Sequence, residues 1–386
     1  MDISNIINHL GEERNQYFNA ISPVQLNTSN FCFTNVQEMR GKLDMEFEVP
    51  FYTRGNNPTV AILRKKIAAL ELAEDALITS SGCAAISTAV ISNLESGDHV
   101  VCVKDVYSWT EVLFSKILAK FNIETTFVDG CKTKDVINAI KSNTKMIYLE
   151  SPTSFTFNLQ DIKSIAKFAK GNNIVTIIDN SYSSPIYQQP IKLGIDIVVH
   201  SATKYINGHS DVVAGVICSN STMIKKIFST EWMTLGGIVS ADNAWLMLRG
   251  LRTLPIRMKQ ISDNAIKVIS FLEKHPKIEK VIYPFSNSHS QYKLAKQQMT
   301  GSGGLFSIIL KTNDINKVDS FCNSLKRFLI ACSWGGYESL VFPASVFYSA
   351  HKNNIKTIPF NMIRIYVGLE EADLLIEDID LALNSI

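Results

Sequence analysis

Apolar positions gather into two alternating patterns from residue 60 onward. "VAILRKKIAALELAE", starting at Val60, repeats them at helical spacing. Short apolar runs follow: "ALITSS", "HVVCV", "IETTFVD", "MIYLESP", "IVTIIDNS", "IDIVVHS" and "VVAGVIC". Few polar residues interrupt them, as expected of strands buried on both faces. Between them lie "GCAAISTAVISNL", "WTEVLFSKILAKF", "KDVINAIKS" and "DIKSIAKFAKGN", which read as helices. Strands alternating with helices predict a mostly parallel sheet covered by helices, an α/β architecture.

Near residue 240 the rhythm changes. "SADNAWLMLRGLRTL" runs into "MKQISDNAIKVISFLEKHP", a long helical region in which Ser240 is a helix N-cap and Pro255 a kink or break. Beyond it the strands "GGLFSIIL", "FLIACS" and "MIRIYVG" are fewer and more widely spaced, and a last helix fills "EADLLIEDIDLALNSI". The pattern predicts an N-terminal arm over 1–55, an α/β domain over 56–245 and a smaller α+β domain over 246–386. A length of 386 residues fits this division, being long for a single core.

Charge and cysteine usage narrow the functional classes. A net charge of +2 gives no basic surface for nucleic acid or an anionic membrane. The apolar runs are strand-sized, so no transmembrane helix is expected, and the first twenty residues lack an apolar signal core. Seven scattered cysteines without a CxxC pair argue against a zinc cluster or a disulfide framework, and for reduced thiols in the cytoplasm.

In an open parallel sheet, ligands bind beyond the carboxyl ends of the strands. The polar residues there therefore carry the chemistry. Ser80, Ser81 and Gly82 leave a strand and open a helix, where free N–H groups and the helix dipole attract a phosphate; an ordinary N-cap has the same appearance. Tyr107 follows a strand and could cover a planar ligand, or fill the core. Asp179 ends an apolar strand, suited to a protonated ring nitrogen or to a turn. Ser201, Thr203 and Lys204 in "HSATK" combine two hydroxyls with an amine that forms Schiff bases once desolvated; the plainer alternative is a surface lysine. Arg364 sits inside the apolar strand "MIRIYVG" and calls for an anion, either a substrate carboxylate or a structural acid. Together they supply what pyridoxal phosphate needs to act on an amino acid.

The stretches "FYTRGNNPTV", "SSGCAAI", "DNSYSSPIYQQPIKLGIDIVVHSATKYINGHSDVVAG", "AWLMLRGLRTLPIR", "SWGGYESL" and "IRIYVGLEEADLLIEDI" resemble the Cys/Met-metabolism (transsulfuration) family of pyridoxal-phosphate enzymes. The likeness runs through nearly the whole chain. It implies an aspartate-aminotransferase-like, fold type I structure and a homotetramer with active sites shared between subunits. It makes Lys204 the Schiff-base lysine, Asp179 the partner of the ring nitrogen and Tyr107 the stacking ring. Gly82 and Cys83 would offer N–H groups to the phosphate, and Ser201 and Thr203 hydroxyls. Tyr52 and Arg54 would reach from the arm to the neighbouring subunit's phosphate. Arg364, helped by Ser333, would hold the substrate carboxylate. No metal is implied.

The resemblance also bears on which bond breaks. Family members acting at the γ-carbon of cystathionine often carry acidic residues where Phe51 and Cys332 stand here. Bacterial cystathionine β-lyases share the aromatic at Phe51, "SWGG" in place of "SLGG", and Ser154 in place of asparagine. Trp109 stands where methionine γ-lyases have a cysteine. These positions predict a carbon–sulfur β-lyase releasing a thiol, pyruvate and ammonia from cystathionine or a related cysteine conjugate. The alternative is a γ-acting lyase, synthase or sulfhydrylase.

Overall fold

The computed structural model describes residues 2–348 and 358–386. Its first sheet contains β1 (Asp75–Thr79), β2 (His99–Val103), β3 (Glu124–Val128), β4 (Thr144–Glu150), β5 (Val175–Asp179), β6 (Ile197–Ser201) and β7 (Gly215–Ser219), in the order β1-β7-β6-β5-β4-β2-β3. Only β7 runs against its neighbours; the other pairings are parallel. β2, β4, β5 and β6 therefore release their carboxyl ends along one edge, and Glu150 of β4 lies in register with Asp179 of β5. Every residue of β2 is buried, as its unbroken apolar run requires when helices cover both faces.

A second sheet holds β8 (Ile278–Ile282), β9 (Leu305–Leu310), β10 (Leu329–Ile330), β11 (Leu340–Pro343) and β12 (Met362–Tyr366), in the order β10-β11-β12-β9-β8. It is antiparallel apart from the β10–β11 pair. This is the fold type I arrangement, a large mostly parallel sheet followed by a smaller sheet domain. The region after residue 240 breaks in two, as its proline requires. Ser240 caps helix Ala241–Leu251 by accepting from the Asn243 N–H, and helix Leu254–Leu272 restarts with Pro255 in its first turn, where the missing N–H costs nothing. That second helix gives Leu254, Met258 and Ile261 to the first core and Ala265, Val268 and Leu272 to the second, so the passage between the cores falls inside it.

Two predicted elements differ. "WTEVLFSKILAKF" is not one regular helix: Ser108–Val112 is α-helical, Leu113–Ile117 widens to a π-turn, and Leu118–Phe121 tightens to a 3₁₀ turn. "FLIACS" forms only the two-residue β10, exposed at the sheet edge, because the chain then turns through Ser333, whose φ is +76°. No described helix is long and apolar enough to cross a membrane.

Candidate active site

Lys204 follows β6 by three residues, at the carboxyl edge of the large sheet. Its turn is closed by the Lys204 N–H donating to Ser201 O (3.1 Å) and the Gly208 N–H donating to Lys204 O (2.8 Å). The "SWGG" loop presses on it from the other domain. Gly335 has φ +89°, and a Cβ there would lie 3.0 Å from Lys204 Cα, so only glycine fits. That loop also sets the Trp334 ring 5.6 Å from Lys204 Nζ. Burial, and secondarily the Arg364 guanidinium, push the Lys204 amine below its ordinary range, against the opposing pull of Asp179. Such surroundings favour the neutral amine, the form that can act as nucleophile or base.

Asp179, at the end of β5, is buried, and its Oδ1 accepts from the Ser181 N–H at 2.8 Å. Burial raises its carboxyl above the usual range, while Ser181, His200 and Lys204 favour the charged form. Helix Gly82–Ile91 opens beside β6. Ser81 caps it by accepting from the Ala84 N–H (3.0 Å), and the Gly82 and Cys83 N–H groups donate to no described residue. A Cβ on Gly82 would lie 2.8 Å from the Ser201 Cβ, so the helix start and Ser201 share one small concavity. Two unpaired N–H groups beside a hydroxyl fit a phosphate. Thr203 is placed differently: its hydroxyl donates to Ala214 O (3.2 Å) and accepts from the Ala214 N–H (3.0 Å).

Tyr107, 41% exposed, stands across this edge beside the Cys83 thiol, and burial, then Cys83, push its phenol up to about 12. Arg364 projects from β12 between two rings, 4.7 Å from the Phe155 centroid and 5.3 Å from that of Phe342. No described carboxylate forms a salt bridge with it, and burial lowers it to about 10. Ser333 and exposed Cys332 lie in the loop beside Lys204. The structure thus gathers Gly82, Cys83, Tyr107, Asp179, Ser201, Lys204, Ser333 and Arg364 at one edge.

Tyr52 and Arg54 stand apart, stacked on each other at 5.4 Å in a groove of about 720 Å³ that also includes Phe51 and Cys32. Trp109 is 61% exposed one residue past the start of its helix. His200 is bonded to buried Glu71 at 2.5 Å, and His209 Nδ1 lies 2.7 Å from Asn207 O; both serve the scaffold.

Sequence reasoning missed two supports. Arg257, inside the quoted "LRTLPIR", is buried behind the lysine turn and donates to Tyr205 O and Gly250 O, each at 2.9 Å. Nothing in its local pattern marks it. Glu150 ends β4 just as Asp179 ends β5, so the same signal, an acid closing an apolar strand, was available for it.

A half-buried lysine, an acid at the next strand end, and a helix start and a guanidinium that have no partner among the described residues, all at the carboxyl edge of this sheet, point to a fold type I pyridoxal-phosphate enzyme. A profile described as "Cys/Met metabolism PLP-dependent enzyme" matches residues 4–384. An L-methionine gamma-lyase from Fusobacterium nucleatum subsp. polymorphum is 39% identical, covering 98% of this chain and 97% of that protein. A cystathionine gamma-lyase from Bacillus subtilis is 41% identical (87% and 89%), and a cystathionine beta-lyase MetC from the same organism 36% (88% and 88%). The crystal structure of metB from Corynebacterium glutamicum superposes with a TM-score of 0.93 at 34% identity, covering 100% of this chain and 98% of that one. The chain belongs to the Cys/Met-metabolism family of pyridoxal-phosphate-dependent enzymes.

Proposed function

We propose that the protein is a carbon–sulfur lyase acting on a sulfur-containing amino acid by β-elimination, with cystathionine or a related cysteine conjugate as substrate. Lys204 would hold the cofactor's aldehyde carbon, Asp179 its ring nitrogen, Tyr107 its ring face, and Gly82, Cys83 and Ser201 its phosphate. Bound there, pyridoxal phosphate supplies an electron sink for the carbanion next to the substrate nitrogen. Arg364, already oriented by two aromatic rings, binds the α-carboxylate with Ser333 beside it. Lys204, freed as the substrate's own amine takes its place, would remove the α-proton with its desolvated amine. The sulfur then leaves the β-carbon with the bonding pair. Lys204, which then carries the α-proton, could return it to the thiolate.

The observation that carries the choice of bond is the identity of two residues, both uncharged. Cys332 and Phe51 stand where γ-acting relatives of cystathionine often have acids, and one base suffices for β-elimination. The γ-acting reading rests on the 41% and 39% identities to proteins named as γ-lyases. It requires a second deprotonation, at the β-carbon. We also propose a cytoplasmic homotetramer in which Tyr52 and Arg54 complete a neighbour's phosphate site, which gives their groove on the arm a purpose.

Purified enzyme with added pyridoxal phosphate, offered cystathionine, cystine, methionine and O-acetylhomoserine separately, tests the reading. Pyruvate from the first two, with methionine inert, is expected. Turnover of methionine to 2-oxobutyrate as the fastest reaction would overturn it.

A further inference from the structure

Glu150 is a buried carboxyl at the centre of the site that the reaction above does not use. It lies in register with Asp179 on adjacent parallel strands, so two carboxyl groups share the floor of the site. Its Oε2 accepts the Tyr107 N–H at 2.8 Å, at the residue that begins helix Ser108–Val112. One side chain thus touches the support of the stacking ring and neighbours the acid assigned to the ring nitrogen.

Two adjacent buried carboxylates cannot both ionise cheaply, because each disfavours the other's charge. The surroundings decide which keeps the proton. Asp179 has the Ser181 N–H, His200 and Lys204 favouring its charge. Glu150 has the Tyr107 and Ser154 N–H groups favouring its charge and Arg364 as the cation on its side, but it also faces Asp179 and Asp105, the Cys102 thiol and the Tyr148 phenol. Burial first, then Asp179, push the Glu150 carboxyl well above the carboxylate range.

We infer that Glu150 is a positioning residue, a neutral acid that pins Tyr107 through its N–H and leaves the pair's single negative charge on Asp179. The inference rests on the reading of Asp179 and Tyr107 as cofactor contacts. A neutral acid has a faithful mimic in glutamine, whereas a required carboxylate does not.

Glu150→Gln and Glu150→Ala test it in the full-length protein. Infrared difference spectra of apoprotein, wild type minus Glu150→Gln at neutral pH, should show a protonated-carboxyl stretch. Titration of apoprotein with pyridoxal phosphate, followed by visible absorbance, should give a Kd for Glu150→Gln within about threefold of wild type. Glu150→Ala, which leaves the Tyr107 N–H without its acceptor and the ring less fixed, should bind more weakly than Glu150→Gln, beyond that margin of about threefold. A carboxylate signature at Glu150, or a glutamine variant as weak as a folded alanine variant, would overturn the inference. Should the alanine variant not fold, the infrared result and the glutamine Kd still decide. Absence of cofactor binding by wild type would instead defeat the underlying reading of the site.

Discussion

The properties of Lys204 come from its surroundings, and they carry a stability cost with a definite pH signature. An unfolded lysine keeps its proton up to the ordinary value of 10.5, while the folded one releases it at the lower value set by burial and Arg364. Between those values the unfolded chain binds more protons. Stability therefore rises with pH across that window, and is lowest where the folded site must carry the charge. Lys204→Met apoprotein should accordingly melt at a higher temperature than wild-type apoprotein at neutral pH, with the gap narrowing as pH approaches 10.5. Thermal melts of both proteins across pH check this. An equal or lower melting temperature for the variant would mean that the amine is solvated. Most of the candidate residues were legible because each breaks a pattern, as a polar group at the end of an apolar strand or inside one. Arg257 breaks none, since its helix is amphipathic and its buried position follows only from packing against the Lys204 turn.

At the scale of elements, the arm is fastened by a buried charge cluster. Glu12 takes Lys66 at 3.0 Å, Arg14 at 3.0 Å and Arg252 at 3.2 Å, while Lys66 Nζ also donates to Ile6 O and Ile7 O. Helix Ile3–Asn8 is thereby tied to helices Pro58–Glu71 and Ala241–Leu251. Removing one partner of such a cluster strands a buried ammonium. Glu12→Ala should thus cost about 3–5 kcal/mol, seen as a lower urea midpoint and faster proteolysis near the N-terminus. An unchanged midpoint would show that the cluster carries no load. Weak periodicity in the first fifty residues hid this arrangement, because its stabilising contacts are polar and long-range. By contrast, β2, β4, β5 and β6 were readable from their apolar runs alone. The broken helix after Ser108 was not, because its buried positions, Thr110, Leu113, Phe114 and Leu118, fall at the i, i+3, i+4, i+8 spacing of a regular α-helix.

For the whole molecule, two features stand away from the Lys204 cluster, the Tyr52–Arg54 pair and its groove. Shared sites in a homotetramer would unite them, and subunit mixing tests that directly. Lys204→Ala and Arg54→Ala proteins, each impaired alone, should recover activity when dissociated and reassembled together, since some mixed sites then hold an intact lysine and an intact arginine. Mixtures no more active than their parents would place the whole site within one chain. The central claim concerns the bond that breaks, and one spectrum addresses it. Proton NMR of the enzyme with cystathionine should show homocysteine and pyruvate accumulating together. Cysteine and 2-oxobutyrate in their place would contradict it.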